Sequence, residues 1–378
     1  MPYPLKVLTI FGTRPEAIKM APVLKALEAH PDRAESRVCV TAQHRQMLDQ
    51  VLELFDIVPD HDLDLMTEDQ TLAQVTASVF THLEPVLAAE RPDWVLVQGD
   101  TTTVMAASLL AFYRRINVGH VEAGLRTRDK YRPFPEEINR RVAGVVADLH
   151  FAPTTWARDN LLHEGVVPET IYVTGNPVID ALLMVAGRPY HPEAGPLAGL
   201  PWERRLILVT AHRRENFGRP LERICAALAE IACRYPGDVH IVYPVHLNPH
   251  VQGPVYRLLR DVPNITLLPP LDYLPLVHLM KRCTLVLTDS GGIQEEAPGL
   301  GVPVLVLREV TERPEGVEAG TVRLVGTRTE DILRETSRLL DDPAAYQHMA
   351  QAVNPYGDGH AAEYIVEALL KVGRRDLD

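Results

Sequence analysis

The sequence predicts an α/β fold: two doubly wound parallel sheets, one per domain, facing a central cleft. Short apolar runs rich in β-branched residues alternate with longer amphipathic stretches along the 378-residue chain, the pattern of parallel strands joined by helices. The alternation breaks at residues 190–202 (YHPEAGPLAGLPW), where proline and glycine cluster as they do in linkers. It then restarts, and the length suffices for two domains of ordinary size.

In the first half, strands are expected near residues 7–11, 37–41, 94–98, 118–121, 150–152 and 171–173. Helices fall between them near 15–28, 45–55, 72–89, 103–113, 136–147 and 156–163. The second half repeats the pattern, with strands near 206–210, 240–243, 265–268, 285–288, 304–307 and 322–324. Its helices are expected near 220–234, 251–259, 274–281, 292–300, 329–340 and 344–350, and a last helix near 361–370.

Hydrophobic residues make up 46% and charged residues 23% of the chain, as in globular enzymes. The net charge of −12, from 50 acidic and 38 basic residues, argues against a nucleic-acid or anionic-membrane surface. An anionic ligand then needs a local basic pocket. The four cysteines have no paired or zinc-like spacing, and no apolar run reaches the ~18 residues of a membrane span. The N-terminus lacks the apolar core of a signal peptide. A reduced, cytoplasmic protein is expected.

The most informative segment is TLVLTDSGGIQEEAPGLG, residues 284–301. An apolar strand stops at Asp289, Ser290, Gly291 and Gly292, and a helix follows with Glu295 and Glu296 near its front. Glycines at a strand-to-helix turn let backbone N–H groups converge on an anion, where the helix dipole adds positive charge. Carboxylates in the first turn accept hydrogen bonds from hydroxyls such as a ribose diol. A nucleotide diphosphate with its sugar fits this pattern, and so does an ordinary βα turn with a dipole-matched acidic first turn.

In such sheets ligands sit beyond the carboxyl ends of the strands. Behind the first strand come Gly12, Thr13 and Arg14, with Lys19 one turn on, two cations able to share an anionic ligand. Asp100 and Glu122 end two strands expected to be neighbours, where buried carboxylates are costly unless used or paired. A basic, proline-bearing loop from Arg126 leads to Glu136, which either meets substrate or matches a helix dipole. In the second half His212 can hydrogen-bond an anionic leaving group, with Arg213 to neutralise it. The mixed-charge loop REVTERPEGVEAGT brings Arg313 to the same side. The chain has no G-x-G-x-x-G, no G-x-x-x-x-G-K-[ST] and no G-x-S-x-G. Asn248-Pro249 between His246 and His250 disfavours the helix that would aim both at one metal.

Several blocks in order, GTRPEAIKMAPV (12–23), TAQHRQML (41–48), VQGDTTT (97–103), HVEAGLR (120–126), FPEEINR (134–140), GNPVID (175–180), TAHRREN (210–216), TDSGGIQEEAPGLGVPVL (288–305), TERPEGVEAGT (311–321) and NPYGDG (354–359), resemble the non-hydrolysing UDP-N-acetylglucosamine 2-epimerases over nearly the whole chain. The resemblance implies a GT-B-like pair of Rossmann-like domains. The first spans residues 1–176 and carries the acid–base carboxylates. The second spans 177–358 and binds UDP, and residues 359–378 form a helix packing back on the first domain. It implies interconversion of UDP-N-acetylglucosamine and UDP-N-acetylmannosamine by a cytoplasmic homodimer, without metal or nicotinamide, supplying cell-surface polysaccharide. Hydrolysing epimerases and GT-B glycosyltransferases are the alternatives.

Carbon 2 of the sugar is weakly acidic until the anomeric carbon–oxygen bond breaks. The implied route therefore eliminates UDP to 2-acetamidoglucal and re-adds it. Asp100, Glu122, Glu136 and His212 match the catalytic positions, and Arg14, Lys19, Ser290, Gly291, Glu296 and Arg313 the UDP-binding ones. Arg213 and Gly292, from the residue reading, complete the substrate-binding set. Gln43, Gln46, Glu136, Arg213 and His246 match a regulatory pocket for a second substrate molecule. The chain departs from that pocket at Asp69, where some relatives carry a basic residue.

Overall fold

A computed structural model of the chain describes residues 4–41, 45–67 and 69–374, apart from the Gln46 side chain. The chain divides into two compact units, residues 1–181 with 356–378, and residues 182–355. The division falls inside a helix, upstream of the proline-rich segment at 190–202, which belongs wholly to the second unit.

Unit 1 carries strands β1 (Leu5–Phe11), β2 (Ala34–Val40), β3 (His61–Asp62), β4 (Trp94–Gln98), β5 (Asn117–Val121), β6 (Leu149–Ala152) and β7 (Ile171–Val173). Its helices are α1 (Arg14–Glu28), α2 (Arg45–Leu54), α3 (Leu72–Glu90), α4 (Thr102–Tyr113), α5 (Glu136–Val146) and α6 (Thr155–His163); α7 (Pro177–Ala186) runs across the division. Every pairing is parallel, in the order β3-β2-β1-β4-β5-β6-β7. Buried on both faces, these strands read as near-continuous apolar runs: all five residues of β4 are buried, as expected for a covered parallel sheet. The order reverses between β1 and β4, which makes their carboxyl ends the switch point where ligands bind in doubly wound sheets.

Unit 2 repeats the plan with β8 (Arg205–Thr210), β9 (Val239–Pro244), β10 (Ile265–Leu268), β11 (Leu285–Thr288), β12 (Val304–Val306) and β13 (Val322–Leu324). Its helices are α8 (Arg219–Arg234), α9 (Pro249–Leu259), α10 (Tyr273–Arg282), α11 (Gly291–Gly299), α12 (Pro314–Glu318), α13 (Thr329–Asp341) and α14 (Pro343–Ala350). The parallel order is β10-β9-β8-β11-β12-β13, so the switch lies between β8 and β11. The chain then returns to unit 1 through α15 (Ala361–Val372), which packs on α1. The buried Trp94 indole donates to Gly373 O at 2.9 Å, fixing the end of α15.

Three elements differ from the sequence reading. β3 is a two-residue edge strand of polar residues, α7 is an apolar helix without clean periodicity, and α12 forms inside the mixed-charge loop of 308–321. No helix among the described residues is long and apolar enough to cross a membrane.

Candidate active site

At the switch point of unit 1, α1 opens with a capping box in which Thr13 and Glu16 satisfy each other's backbone. The Glu16 carboxylate also accepts from Gly12 N at 2.8 Å and from Thr101 Oγ1 at 2.6 Å. It is buried, and burial raises its pKa against the hydrogen bonds that hold it ionised. With its own glutamate on these amides, the start of α1 is supplied with an anion by the chain itself. Arg14, the first helical residue, makes no side-chain hydrogen bond or ion pair among the described residues.

Lys19, one turn further, reaches Glu122, with Nζ 2.6 Å from Oε1. The same oxygen accepts from Asn176 Nδ2 at 2.9 Å, and Oε2 accepts from Gln98 Nε2. Glu122 follows β5 with φ of 64°, a left-handed conformation costing a non-glycine residue about 1–2 kcal/mol. Such strain persists where surrounding contacts over-determine it. Gly99 beside it has φ of 84°, and a Cβ there would lie 3.6 Å from Glu122 Oε2.

Asp100 follows β4, and the β4–β5 register sets Gln98 opposite Val121, bringing the two expected carboxylates to neighbouring strand ends. Helix α5 clamps Asp100: Asn139 Nδ2 donates to its backbone O at 3.0 Å, and Arg140 Nη2 to its Oδ2. Burial raises the Asp100 pKa, with Arg140 and Lys19 opposing and Glu122 and Glu136 reinforcing. Glu136 heads the same helix, and its Oε2 is buried with no hydrogen-bond partner among the described residues. The structural duty at this helix start belongs to Glu137, which accepts from Thr127 N at 3.1 Å and Arg128 N at 3.2 Å. The basic loop is anchored at its base too, where Arg126 is buried and pairs with Glu164 through two nitrogens.

At the switch point of unit 2, Asp289 is fully buried and accepts from His212 N at 2.8 Å, Arg213 N at 2.8 Å and Asn216 Nδ2 at 3.0 Å. It thereby shapes the loop after β8. His212 Nδ1 is 3.5 Å from Asp289 Oδ1, and its ring stacks on His246 with centroids 5.3 Å apart. Burial lowers the His212 pKa against Asp289, with His246 and Arg213 adding to the drop. The neutral imidazole is therefore favoured.

Ser290 precedes α11 and makes no side-chain cap. Neither Gly291 nor Gly292 has positive φ. Gly291 is needed for space instead: a Cβ would lie 2.6 Å from Arg313 Nη1 and 3.2 Å from Glu312 Oε1. Arg313 is held by Glu295 and by Glu312 at 3.2 Å. Arg308 pairs with Glu312 at 2.6 Å, and Arg213 lies 3.6 Å from it. Burial works against Glu312, and Arg313 and Arg308 more than offset it, holding its carboxyl at about 2. Glu296 accepts from Tyr273 OH at 2.8 Å. Gln43 and the side chain of Gln46 lie outside the described residues.

Among the described residues, each unit thus brings its candidate residues to its own switch point, with His246 beside His212 through its stack. Glu16, Gln98, Asn176, Asp289 and Glu312 are the supporting groups to which sequence reasoning assigned no role. Two Rossmann-like α/β units with polar sites at their switch points define a GT-B-like protein. A family model described as UDP-N-acetylglucosamine 2-epimerase matches residues 25–370. The UDP-N-acetylglucosamine 2-epimerase of Yersinia pestis is 58% identical over 371 residues, covering 97% of this chain and 98% of that one. The enzyme of that name from Escherichia coli K12 is 57% identical over the same length, with 97% and 98% covered. The crystal structure of the UDP-GlcNAc 2-epimerase of Neisseria meningitidis bound to UDP-GlcNAc matches with a TM-score of 0.88 at 50% identity, covering 97% of this chain and 100% of that one. The chain belongs to the UDP-N-acetylglucosamine 2-epimerase family.

Proposed function

We propose that the protein is a non-hydrolysing epimerase that interconverts UDP-N-acetylglucosamine and UDP-N-acetylmannosamine. The observation that carries the reading is the meeting of Lys19, Asp100 and Glu122 at one switch point, with Glu136 on the helix that clamps Asp100. In this reading Arg14, Arg213 and Arg313 meet the diphosphate as the anomeric bond breaks. His212, kept neutral by burial, donates a hydrogen bond to the leaving phosphate. Glu296 accepts from the ribose, and Ser290, Gly291 and Gly292 line the turn.

Loss of UDP builds oxocarbenium character that acidifies the proton on carbon 2, and a carboxylate of unit 1 removes it. Asp100, whose proton affinity is raised by burial, suits the group that returns a proton to the opposite face of the glucal. Glu136, with a buried oxygen that has no hydrogen-bond partner among the described residues, suits the group that meets the proton on the other face. We infer a cytoplasmic homodimer that needs neither metal nor nicotinamide, nucleic acid nor membrane, and feeds cell-surface polysaccharide synthesis. Asp69 disfavours a second diphosphate, so activation through the Gln43, Gln46 and His246 positions is expected to be weak.

NMR of the purified protein with UDP-N-acetylglucosamine in deuterated water tests the reading. The expected product keeps its UDP linkage, carries deuterium at carbon 2 and forms undiminished with EDTA and without added NAD. Free N-acetylmannosamine would make the enzyme hydrolysing, and UDP release only with an acceptor would make it a glycosyltransferase. Protium retained at carbon 2 would overturn the two-base scheme.

A further inference from the structure

We propose that Asn176 is the positioning residue for Glu122, fixing which carboxylate oxygen carries the proton; this rests on the epimerase reading above. Asn176 is buried, 1% exposed, just before α7. Its Oδ1 accepts from Val178 N at 3.2 Å, at the start of that helix. The amide is therefore oriented, with its NH₂ end turned to Glu122 Oε1 at 2.9 Å. An amide nitrogen donates and cannot accept. Oε1, which also takes Lys19 Nζ at 2.6 Å, is thus the oxygen kept unprotonated. Proton traffic through Glu122 is directed to Oε2. That oxygen faces Gln98 Nε2, and turning the Gln98 amide over would let it accept from a protonated Oε2.

The backbone holds Asn176 as firmly as its side chain is held. Its N–H donates to Tyr356 O at 2.7 Å, where the chain re-enters unit 1. Gly175 and Gly357 meet there: a Cβ on Gly175 would lie 3.1 Å from Gly357 Cα, and one on Gly357 would lie 3.4 Å from Gly175 Cα. Val178, Ile179 and Tyr356 close the contact as an apolar cluster. Asp180 Oδ1 accepts from Ala362 N at 2.8 Å. Glu122 sits in a strained conformation, so an immovable donor of this kind keeps its carboxylate in one pose.

The test compares Asn176→Ala and Asn176→Asp with the parent enzyme, reading kcat, KM, UDP affinity, thermal midpoint and the pH profile of kcat. Asn176→Asp keeps an acceptor for Val178 N but sets a second carboxylate against Oε1. The other titratable groups around this carboxylate are Lys19 from α1, Asp100 beyond β4 and the neutral His120 on β5, with Arg140 and Glu136 of α5 acting on Asp100. Asn176→Ala should lower kcat about 10²-fold, the cost of a small misplacement at a reacting group, with UDP affinity unchanged. Asn176→Asp should also move one limb of the kcat profile to higher pH, because two adjacent carboxylates cannot both ionise freely. A near-parental kcat and an unshifted profile in Asn176→Asp would overturn the proposal, even if Asn176→Ala fails to fold. A parent enzyme that leaves UDP-N-acetylglucosamine unchanged would instead remove the epimerase reading itself.

Discussion

Lys19 Nζ lies 2.6 Å from Glu122 Oε1, an ion pair joining the first helix to the end of the fifth strand of unit 1. Both side chains are largely buried, and removing one partner of a buried pair leaves the other uncompensated. Glu122→Gln should therefore lower turnover by about 10²–10⁴-fold, the range of a general acid–base group, while UDP affinity changes little. Lys19→Met should lower both turnover and the thermal midpoint. Near-normal turnover in Glu122→Gln would take the carboxylate out of proton transfer.

Asp100 is expected to show its environment through pH. Burial raises its pKa, and Arg140 is the larger of the two cations that oppose the rise, ahead of Lys19, so removing the guanidinium leaves the raising influences less opposed. Arg140→Met should move the limb of the pH–rate profile that reports Asp100 to higher pH, and Asp100→Asn should abolish that limb together with most turnover. An unchanged profile in Arg140→Met would show that the limb belongs to another group.

The strands were readable because buried parallel strands are short, apolar and followed by polar turns: β4, β7, β10, β11 and β13 fall where the residue pattern puts them. His61–Asp62 gives no such signal, since an edge strand of two polar residues is made by its neighbour and not by its own propensity. In α7, PVIDALLMVA has apolar residues on every side, so helical periodicity cannot be seen. The candidate site was legible as far as strand ends and the loops behind them reveal it, which is how Asp100, Glu122, His212 and Arg313 were singled out. No role could be read for Asp289 and Asn176, because each works through partners remote in sequence. Nor could one be read for Glu312, whose cations Arg308 and Arg313 lie close to it inside a mixed-charge loop that reads as solvated surface. Gly291 was noticed for a backbone freedom it does not use, its real constraint being the Arg313 side chain beside it.

The two arginines at the ends of the diphosphate reading should behave differently. Arg14 has no side-chain partner among the described residues, whereas Arg313 is held by Glu295 and Glu312. Arg14→Ala should weaken UDP binding by about 1.5–3 kcal/mol, the worth of a charge-assisted hydrogen bond, and leave the thermal midpoint alone. Arg313→Ala should weaken binding and also destabilise the fold, by removing the cation paired with buried Glu295 and one of the cations around Glu312. Calorimetry with UDP and thermal melts of the two variants check this, and unchanged affinity in both would move the diphosphate elsewhere.

The acid stability of unit 1 should depend on two histidines facing each other across β5 and β6. His120 pairs with His150 in the sheet register, and both are buried. His120 has Nε2 2.8 Å from Gly99 O, so the neutral ring donates there to the peptide before Asp100. Burial, with a smaller push from Arg126, lowers both pKa values from 6.5 to about 4. A histidine lowered in the folded state contributes stability that is fully present above pH 6.5 and is lost as pH falls towards 4. The loss is on the order of 3 kcal/mol for each ring. Asp180 works in the opposite sense: burial raises its pKa to about 6, so it adds stability as it takes up its proton. The two effects separate by comparison with variants. Urea unfolding of His150→Gln between about pH 7 and pH 4 should lose less stability than the parent, while Asp180→Asn should lose more. Equal pH slopes in the parent and His150→Gln would show that the ring at this position is already protonated, or free to be, in the folded protein.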